Sequence, residues 1–112
     1  MMSRDEALTI LKECHAEYSK LLPKAIQDAY LYGSYARGDY HDESDVDIFL
    51  TVDMDWAALE TYRRAFAHIG SELSLKHNVT VSVSVTPSSQ FSKLYNMPYY
   101  QSVRTEGIRY VA

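Results

Sequence analysis

The sequence predicts an α/β fold in which a small mixed β-sheet is flanked by helices. Two apolar runs, residues 29–32 and Val46 with residues 48–50, bracket a polar connector of about ten residues, which indicates two antiparallel strands joined by a reversal. Residues 79–86 alternate valine with serine or threonine, which is typical of a strand with one buried face. Two longer stretches, before and between these strands, have the apolar spacing of amphipathic helices.

Length and composition bound the class of protein. The 112 residues, 46% of them apolar, predict a single domain over residues 1–112 with one modest core. The net charge of −4 argues against a nucleic-acid partner, because such domains usually carry a basic face. Cys14 is the only cysteine, and no signal peptide or membrane-spanning run is evident. We therefore expect a cytoplasmic protein without disulfides or membrane association.

Residues 3–22 are predicted to form the first helix. Ser3 and Glu6 have the spacing of a capping box, and the helix should end before Pro23. Its apolar stripe carries Leu8, Leu11, His15, Tyr18 and Leu22. His15 could ligate a metal, but a histidine on such a stripe is more often a packing residue, and we assign it and Cys14 to packing.

The central segment, residues 33–47, combines a glycine turn with paired carboxylates. Gly33-Ser34 leads from the first strand into a predicted helical turn, where backbone N–H groups can bind an anion. Asp45 and Asp47 should project on the same side of the second strand, with Val46 turned into the core. Two neighbouring carboxylates suit Mg²⁺ or Mn²⁺, with coordination positions left for water and phosphate.

Each half of this segment has an ordinary structural interpretation. A Gly-Ser pair is usually a turn, and Asp-x-Asp is usually a solvated loop or cap. An EF-hand is excluded by the spacing of the oxygen ligands, and the sequence contains no P-loop and no Gly-x-Ser-x-Gly elbow. The occurrence of both halves, each at a strand end, favours a metal site beside a phosphate site.

A second long helix is predicted from Asp53 or Asp55 to about His77. Its apolar stripe covers the sheet and carries Trp56, Leu59, Tyr62, Phe66, Ile69 and Leu73. Arg63 and Arg64 could contact a triphosphate, but arginines on such a helix usually form its solvated face.

The carboxy-terminal part is predicted to contain two short helices and a final extended segment. Pro87 ends the alternating strand, a short helix runs from Ser88 to Tyr95, and Pro98 begins a helix that Gly107 terminates before residues 108–111. Most of the ten tyrosines should be core or boundary residues. Tyr95, Tyr99 and Tyr100 form a cluster that could instead be a partner surface.

The central segment resembles the minimal nucleotidyltransferases of the DNA polymerase β superfamily. The resemblance rests on Gly33-Ser34, ten intervening residues that include residues 36–39, and then Asp45-Val46-Asp47. It extends over most of the chain in length and element order, and Pro-Tyr-Tyr followed by Glu106-Gly107-Ile108 is similar to the carboxy-terminal end of small bacterial members. It implies the polymerase-β-like nucleotidyltransferase fold.

The resemblance also implies a reaction and a partner. Family members hold magnesium and a nucleoside triphosphate, and they move a nucleoside monophosphate onto an acceptor with release of pyrophosphate. Many small bacterial members are encoded beside a HEPN-domain toxin and act as its antitoxin, in some cases by adenylylating a toxin tyrosine. We therefore expect transfer of AMP from ATP to a protein hydroxyl, with Mg²⁺ as the metal.

The site residues follow from the matching positions. Asp45 and Asp47 would be the catalytic, magnesium-binding aspartates, and Gly33 and Ser34 would bind the β- and γ-phosphates. Arg37 is expected to neutralise triphosphate charge, although an ion pair with Asp39 or Glu43 explains it equally well.

The chain departs from the family pattern at one position. The third strand commonly carries a third carboxylate, and here the matching residue is Ser82 or Ser84. A serine cannot act as a carboxylate base, so the acceptor would be activated by His41, Asp42 or Glu43, or would ionise readily by itself. A tyrosine hydroxyl, with a reference pKa of about 10, needs less help than an aliphatic alcohol.

Two other functions stay open at this point. The chain could be a catalytically inactive antitoxin that neutralises its partner by binding, which the missing carboxylate favours and the intact motif opposes. It could also modify a small molecule such as an aminoglycoside, although 112 residues leave little room for an acceptor domain. A homo-oligomer could supply that surface.

Overall fold

Four strands form one mixed sheet in the computed structural model, which describes residues 2–111. The strands are β1 (Ile26–Tyr32), β2 (Val46–Val52), β3 (Val81–Pro87) and β4 (Ile108–Arg109). Their order across the sheet is β3-β2-β1-β4. β1 pairs antiparallel with both β2 and β4, and β2 pairs parallel with β3. The expected α/β class, and the antiparallel arrangement of its first two strands, are confirmed.

Six helices accompany the sheet within the described residues. They are α1 (Arg4–Leu21), α2 (Ser34–Arg37), α3 (Trp56–Glu60), α4 (Arg63–His77), α5 (Ser88–Lys93) and α6 (Pro98–Glu106). α1 begins as expected, since the Ser3 hydroxyl oxygen accepts a hydrogen bond from the Glu6 N–H (3.2 Å). None of these helices is long and apolar enough to cross a lipid bilayer.

The main core lies between one face of the sheet and the helices α1 and α4. Val46, Ile48 and Leu50 alternate along β2 toward this face and are completely buried. They belong to one cluster with residues of α1 and α4 that include Ile10, Leu11, Cys14, Tyr18 and Leu73. Cys14 and His15 are packing residues, as expected: Cys14 is buried, and the His15 ring lies 4.8 Å from the ring of Tyr110.

The helices α5 and α6 cover part of the opposite face. Phe49 of β2 points to this side and packs against Phe91, Tyr100 and Val103. Because side chains alternate along a strand, Asp47 projects to the same side as Phe49. α5 and α6 therefore border the part of the sheet on which Asp47 lies.

The expectation of one continuous helix up to His77 was wrong. The stretch is divided into α3 and α4, with Thr61 and Tyr62 between them. The Thr61 hydroxyl donates to the Ala58 carbonyl oxygen (2.7 Å), and such a local bond competes with continuation of the helix. Trp56 was also placed wrongly on the buried stripe. It is 52% exposed, and its indole N–H donates to the Gln90 side chain (2.8 Å).

Two smaller boundaries also differ from those expected. The alternating strand begins at Val81 rather than Val79, because Asn78 adopts a left-handed conformation (φ 52°, ψ 46°) that ends α4. The helix that starts at Ser88 ends at Lys93 and does not reach Tyr95.

Candidate active site

The turn after β1 has a geometry that only glycine tolerates. Gly33 has φ 75° and ψ −155° and is the N-cap of α2. A Cβ atom at this position would collide with the Asp47 carboxylate, and it would lie 3.3 Å from Asp47 Cγ. The absence of a side chain therefore lets the carboxylate approach the turn. The Ala36 and Arg37 N–H groups donate to the Gly33 carbonyl oxygen and close the turn, so the N–H groups of Ser34 and Tyr35, which the helix geometry leaves without a partner inside α2, are the ones available to an anion beside Asp47.

The two aspartates lie on one side of the sheet beside this turn. Asp47 is half-buried and is paired in register with Tyr32 of β1 and Ser82 of β3. Asp45, directly before β2, is exposed, and Val46 between them is buried. The structure therefore brings Gly33, Ser34, Asp45 and Asp47 together, as the sequence predicts.

The electrostatics of this pair fit a cation. Burial raises the pKa of the Asp47 carboxyl, the negative charge of Asp45 raises it further, and the Arg37 charge lowers it. The two carboxylates thus repel each other with incomplete compensation, which a divalent cation would relieve. Within residues 2–111 no group of three or more His, Cys, Asp or Glu side chains is arranged to hold a metal, so water and phosphate oxygens would complete the shell.

The third strand presents hydroxyl groups where a third acid would be expected. Ser82 is exposed and lies directly across from Asp47, and Ser84 pairs with Phe49 one step further along the same face. The alternative bases His41 and Glu43 are exposed, and the His41 ring bonds to the Glu43 N–H within its own loop. Asp42 lines a different cleft, together with Glu6 and His77.

Arg37 is exposed at the end of α2 and makes two ion pairs. Its Nε lies 3.3 Å from Asp39 Oδ2, and its Nη1 lies 3.6 Å from Glu106 Oε2 at the end of α6. Asp39 was one of the two ion-pair partners, Asp39 or Glu43, considered for Arg37 from the sequence. The pair with Glu43 was not found, and Glu106 takes its place because α6 ends beside α2.

Tyr32 and Tyr99 were missed as site residues by sequence reasoning. The Tyr99 O–H donates to the Tyr32 hydroxyl oxygen (3.1 Å), although the two residues are 67 positions apart. Both tyrosines line one cleft, here called the Tyr99 cleft, with Gly33, Arg37, Ser102, Val103 and Glu106. Burial raises the pKa of Tyr32, and the hydrogen bond with Tyr99 raises it further. Tyr32 therefore stays protonated and is suited to hydrogen bonding rather than to the role of a base.

Arg4 was also missed, and it holds α2 in place. Its Nε and Nη2 donate to the carbonyl oxygens of Tyr35 (3.0 Å) and Ala36 (2.9 Å). These carbonyls lie at the end of α2, where backbone acceptors lack partners within the helix. The first helix thus supports the turn that carries Gly33.

A cavity larger than the Tyr99 cleft lies away from this site, between α1 and α4. It is lined by residues that include Glu13, Lys20, Ile69 and Lys76, and it contains none of the motif residues. Its size therefore does not mark it as the site of the motif chemistry.

A mixed sheet of this topology, with a glycine turn facing one aspartate of an Asp-Val-Asp pair, defines the class of protein as a nucleotidyltransferase domain. Comparison with known proteins agrees with this. Residues 9–111 match the model of the family described as "Nucleotidyltransferase domain", and the chain belongs to that family.

Two relatives come from Methanocaldococcus jannaschii. The chain is 34% identical over 82 residues to "Putative protein adenylyltransferase MJ0604", covering 73% of this chain and 75% of that protein. It is 36% identical over 77 residues to "Putative protein adenylyltransferase MJ0141", covering 69% and 76% of the two chains.

Three solved structures share the fold. A nucleotidyltransferase from Sulfolobus solfataricus, itself described as putative, has a TM-score of 0.60 at 19% identity and covers 95% of this chain and 80% of that one. A mutant of the toxin-antitoxin MntA-HpeT has a TM-score of 0.53 at 19% identity, with coverage of 100% and 74%. A toxin-antitoxin structure with AMP-PNP has a TM-score of 0.54 at 21% identity, with coverage of 96% and 72%. These similarities confirm the nucleotidyltransferase fold.

Proposed function

We propose that this protein transfers AMP from ATP to a hydroxyl group of another protein. The observation that carries the proposal is Asp47 facing the Gly33 turn with the charge of Asp45 acting on it, in a chain that belongs to the nucleotidyltransferase domain family. Adenylyl as the group and protein as the acceptor are supported by the names of the two archaeal relatives.

In this proposal Asp45 and Asp47 hold Mg²⁺. The bound ion supplies charge neutralisation on the phosphates of ATP. The turn at Gly33 and Ser34 binds the β- and γ-phosphates through backbone N–H groups, since glycine leaves room for close approach. Arg37 lies at the other end of α2 and exchanges one of its carboxylate partners for a phosphate oxygen.

The acceptor oxygen attacks the α-phosphorus of ATP, the bond from that phosphorus to the β-phosphate bridge breaks, and pyrophosphate leaves. On β3, beside Asp47, the chain has Ser82 and Ser84 in place of a third carboxylate. The third strand therefore supplies no strong base to accept the proton of the acceptor. A tyrosine acceptor fits this site best, because a phenol with a reference pKa of about 10 releases its proton more easily than an aliphatic alcohol.

The acceptor we propose is a tyrosine of a HEPN-type toxin, so that the protein acts as an antitoxin. The support is the resemblance of the central motif to small antitoxin nucleotidyltransferases, together with the fold shared with a toxin-antitoxin structure. The protein encoded beside the gene for this chain, here called the neighbour-encoded protein, is the acceptor to test.

The test is incubation of the purified protein with magnesium, ATP labelled at the α-phosphate, and the neighbour-encoded protein. We expect label on a tyrosine of the neighbour-encoded protein, detected on a gel and located by mass spectrometry. Asp45→Asn and Asp47→Asn should each reduce the rate about a thousandfold, because each removes several kcal/mol of charge stabilisation. Asp53→Asn is the matched control, since Asp53 is an exposed aspartate just beyond β2. Full transfer by both site variants would rule out this metal assignment.

A second candidate function is neutralisation of a toxin by binding alone. The observation that favours it is the exposed Ser82 across from Asp47, where a general base is missing. Neutralisation of the neighbour-encoded protein by the Asp45→Asn/Asp47→Asn double variant separates the two candidates. A double variant that still neutralises would support binding, and one that fails although it remains folded and associated would support transfer.

A further inference from the structure

Tyr99 occupies an unusual position among the tyrosines of this chain. The residue is 41% exposed and lines the Tyr99 cleft together with Gly33 and Arg37. Its ring is held edge-on by Tyr32 at 5.9 Å and by Phe49 at 5.7 Å between centroids. The phenol is therefore exposed to solvent and also fixed in place beside the turn proposed to bind the triphosphate.

The Tyr99 hydroxyl lies close to the proposed reaction centre. It donates to the Tyr32 hydroxyl at 3.1 Å. Tyr32 is paired in register with Asp47 across the two strands and directly precedes Gly33. The Tyr99 hydroxyl is thus one hydrogen bond away from a residue that adjoins both Asp47 and the Gly33 turn, the two features between which the α-phosphate would lie.

The neighbouring tyrosines of α6 and its preceding loop lack this combination. Tyr100 is only 4% exposed, and its hydroxyl accepts a hydrogen bond from the Gln90 side chain (2.7 Å), so it is a core residue, as expected for most of the tyrosines, and not part of a partner surface. Tyr95 is 60% exposed but lines a separate cavity with Pro98 and Gln101. Tyr95 therefore provides a matched comparison with Tyr99: exposed, close in sequence, and outside the Tyr99 cleft.

We propose that Tyr99 is itself an acceptor, so that the protein adenylylates its own Tyr99 when no other acceptor occupies the site. The Tyr99 oxygen forms a bond to the α-phosphorus of ATP, and the bond from that phosphorus to the β-phosphate bridge breaks. Pyrophosphate leaves, and the phenolic proton passes to water, which reaches the exposed hydroxyl. This inference rests on the proposed function and adds a modification site to it.

The geometry favours a reaction within one molecule. A nucleophile held beside a bound substrate reacts at a high effective concentration, which offsets the lack of a strong base. Because the nucleophile and the bound ATP belong to one molecule, the rate constant should be independent of protein concentration. The product carries AMP in the Tyr99 cleft, so each chain reacts once and incorporation should stop at one AMP per chain.

The experiment is incubation of the full chain alone with magnesium and ATP labelled at the α-phosphate. Intact-mass measurement should show a gain of one adenylyl group, and peptide mapping should place it on Tyr99. Tyr99→Phe should lose the label completely, whereas Tyr95→Phe should keep it. Because phenylalanine retains the packed ring, circular dichroism should show that the Tyr99→Phe protein is folded.

The outcomes separate this inference from the proposed function. Label on the neighbour-encoded protein when it is present, with none on Tyr99 when the wild-type chain is incubated alone, would overturn the inference and leave the proposed function standing. Label on neither protein would overturn both. Label on the wild-type chain that maps to another residue, or a rate constant that rises in proportion to protein concentration, would also overturn modification of Tyr99 within one molecule.

Discussion

At the scale of one residue, the backbone conformation of Gly33 allows the Asp47 carboxylate to lie against the turn. Its φ of 75° lies where other residues are strained, and the space of its missing Cβ is taken by the Asp47 carboxylate. Gly33→Ala should lower the free energy of unfolding by about 1–3 kcal/mol and abolish ATP binding, because either the turn or Asp47 must move. Urea denaturation and calorimetric titration with ATP measure the two effects.

At Gly70 the same substitution, glycine to alanine, should change the free energy of unfolding in the opposite direction. It lies inside α4, and an added Cβ would make only an ordinary contact with the Val81 carbonyl oxygen at 3.8 Å. Gly70→Ala should therefore raise the free energy of unfolding by up to about 1 kcal/mol and leave ATP binding unchanged. Equal destabilisation by both substitutions would contradict a special role for the Gly33 conformation.

Asp47 is a residue at which stability and function should conflict. Its pKa is raised above the ordinary 3.8, first by burial and then by Asp45, so the folded state binds a proton more tightly than the unfolded state does. Folding stability therefore falls as pH rises through the interval between the two pKa values, and the ionised carboxylate is a cost at neutral pH. Asp47→Asn should increase the free energy of unfolding at neutral pH by a fraction of a kcal/mol while it removes catalysis.

The pH dependence identifies the cause of that gain. The advantage of Asp47→Asn should shrink as pH falls toward the raised pKa, since the wild-type carboxyl is then neutral as well. Urea titrations of both proteins at several pH values measure it, and Asp53→Asn serves as the exposed control. A gain that does not change with pH would show that ionisation of Asp47 is not responsible.

At the scale of elements, α1 supports the turn that α2 begins. Arg4 donates to the carbonyl oxygens of Tyr35 and Ala36, and such hydrogen bonds from a charged donor contribute roughly 1.5–3 kcal/mol. A lysine cannot reproduce the two-pronged geometry of the guanidinium group. Arg4→Lys should therefore lower the free energy of unfolding by about 1–2 kcal/mol and weaken ATP binding. Arg63→Lys is the control, because Arg63 is exposed and its ion pair is with Glu60, three positions away on the protein surface. Weakened ATP binding in the control as well would argue against a specific role for Arg4.

The elements that sequence predicts well are those fixed by local chemistry. Ser3 caps α1, Gly33 ends β1, and the valine alternation marks β3, since each depends on residues a few positions apart. The helix expected up to His77 fails because the Thr61 side chain bonds locally to Ala58, a competition that apolar periodicity does not reveal.

The residues of the candidate site likewise fall into those that the sequence predicts and those that it does not. Gly33, Ser34, Asp45 and Asp47 could be named from sequence, because one reversal of the chain brings the two strand ends together. Arg4, Tyr99 and Glu106 could not, because their positions depend on helices packed from the two ends of the chain. Arg4 reaches Tyr35 across 31 positions, and Tyr99 reaches Tyr32 across 67.

At the scale of the whole molecule, helices pack on both faces of the sheet but cover the face that carries Asp47 only in part. α1 and α4 cover one face, while α5 and α6 cover only part of the other. The amino-terminal part supplies the residues proposed to bind metal and phosphate, and α6 supplies Tyr99 and Glu106 beside them.

The net charge of the chain is −4, so a polyanion such as ATP has to be attracted by positive charge close to its binding site. Arg37 lines the Tyr99 cleft and its charge acts on Asp47, so it can attract the triphosphate, but it is paired with Glu106 of α6.

Glu106 should therefore oppose ATP binding. Its carboxylate competes with the triphosphate for Arg37 and also repels the triphosphate itself. Glu106→Gln should tighten ATP binding severalfold at low ionic strength, and the gain should decrease as added salt screens the charges. Calorimetric titration with ATP at two salt concentrations measures this. Glu60→Gln is the matched control, because Glu60 pairs with Arg63 away from the Tyr99 cleft and should leave affinity unchanged. Weaker binding by Glu106→Gln would mean instead that the ion pair holds Arg37 in the orientation that ATP requires.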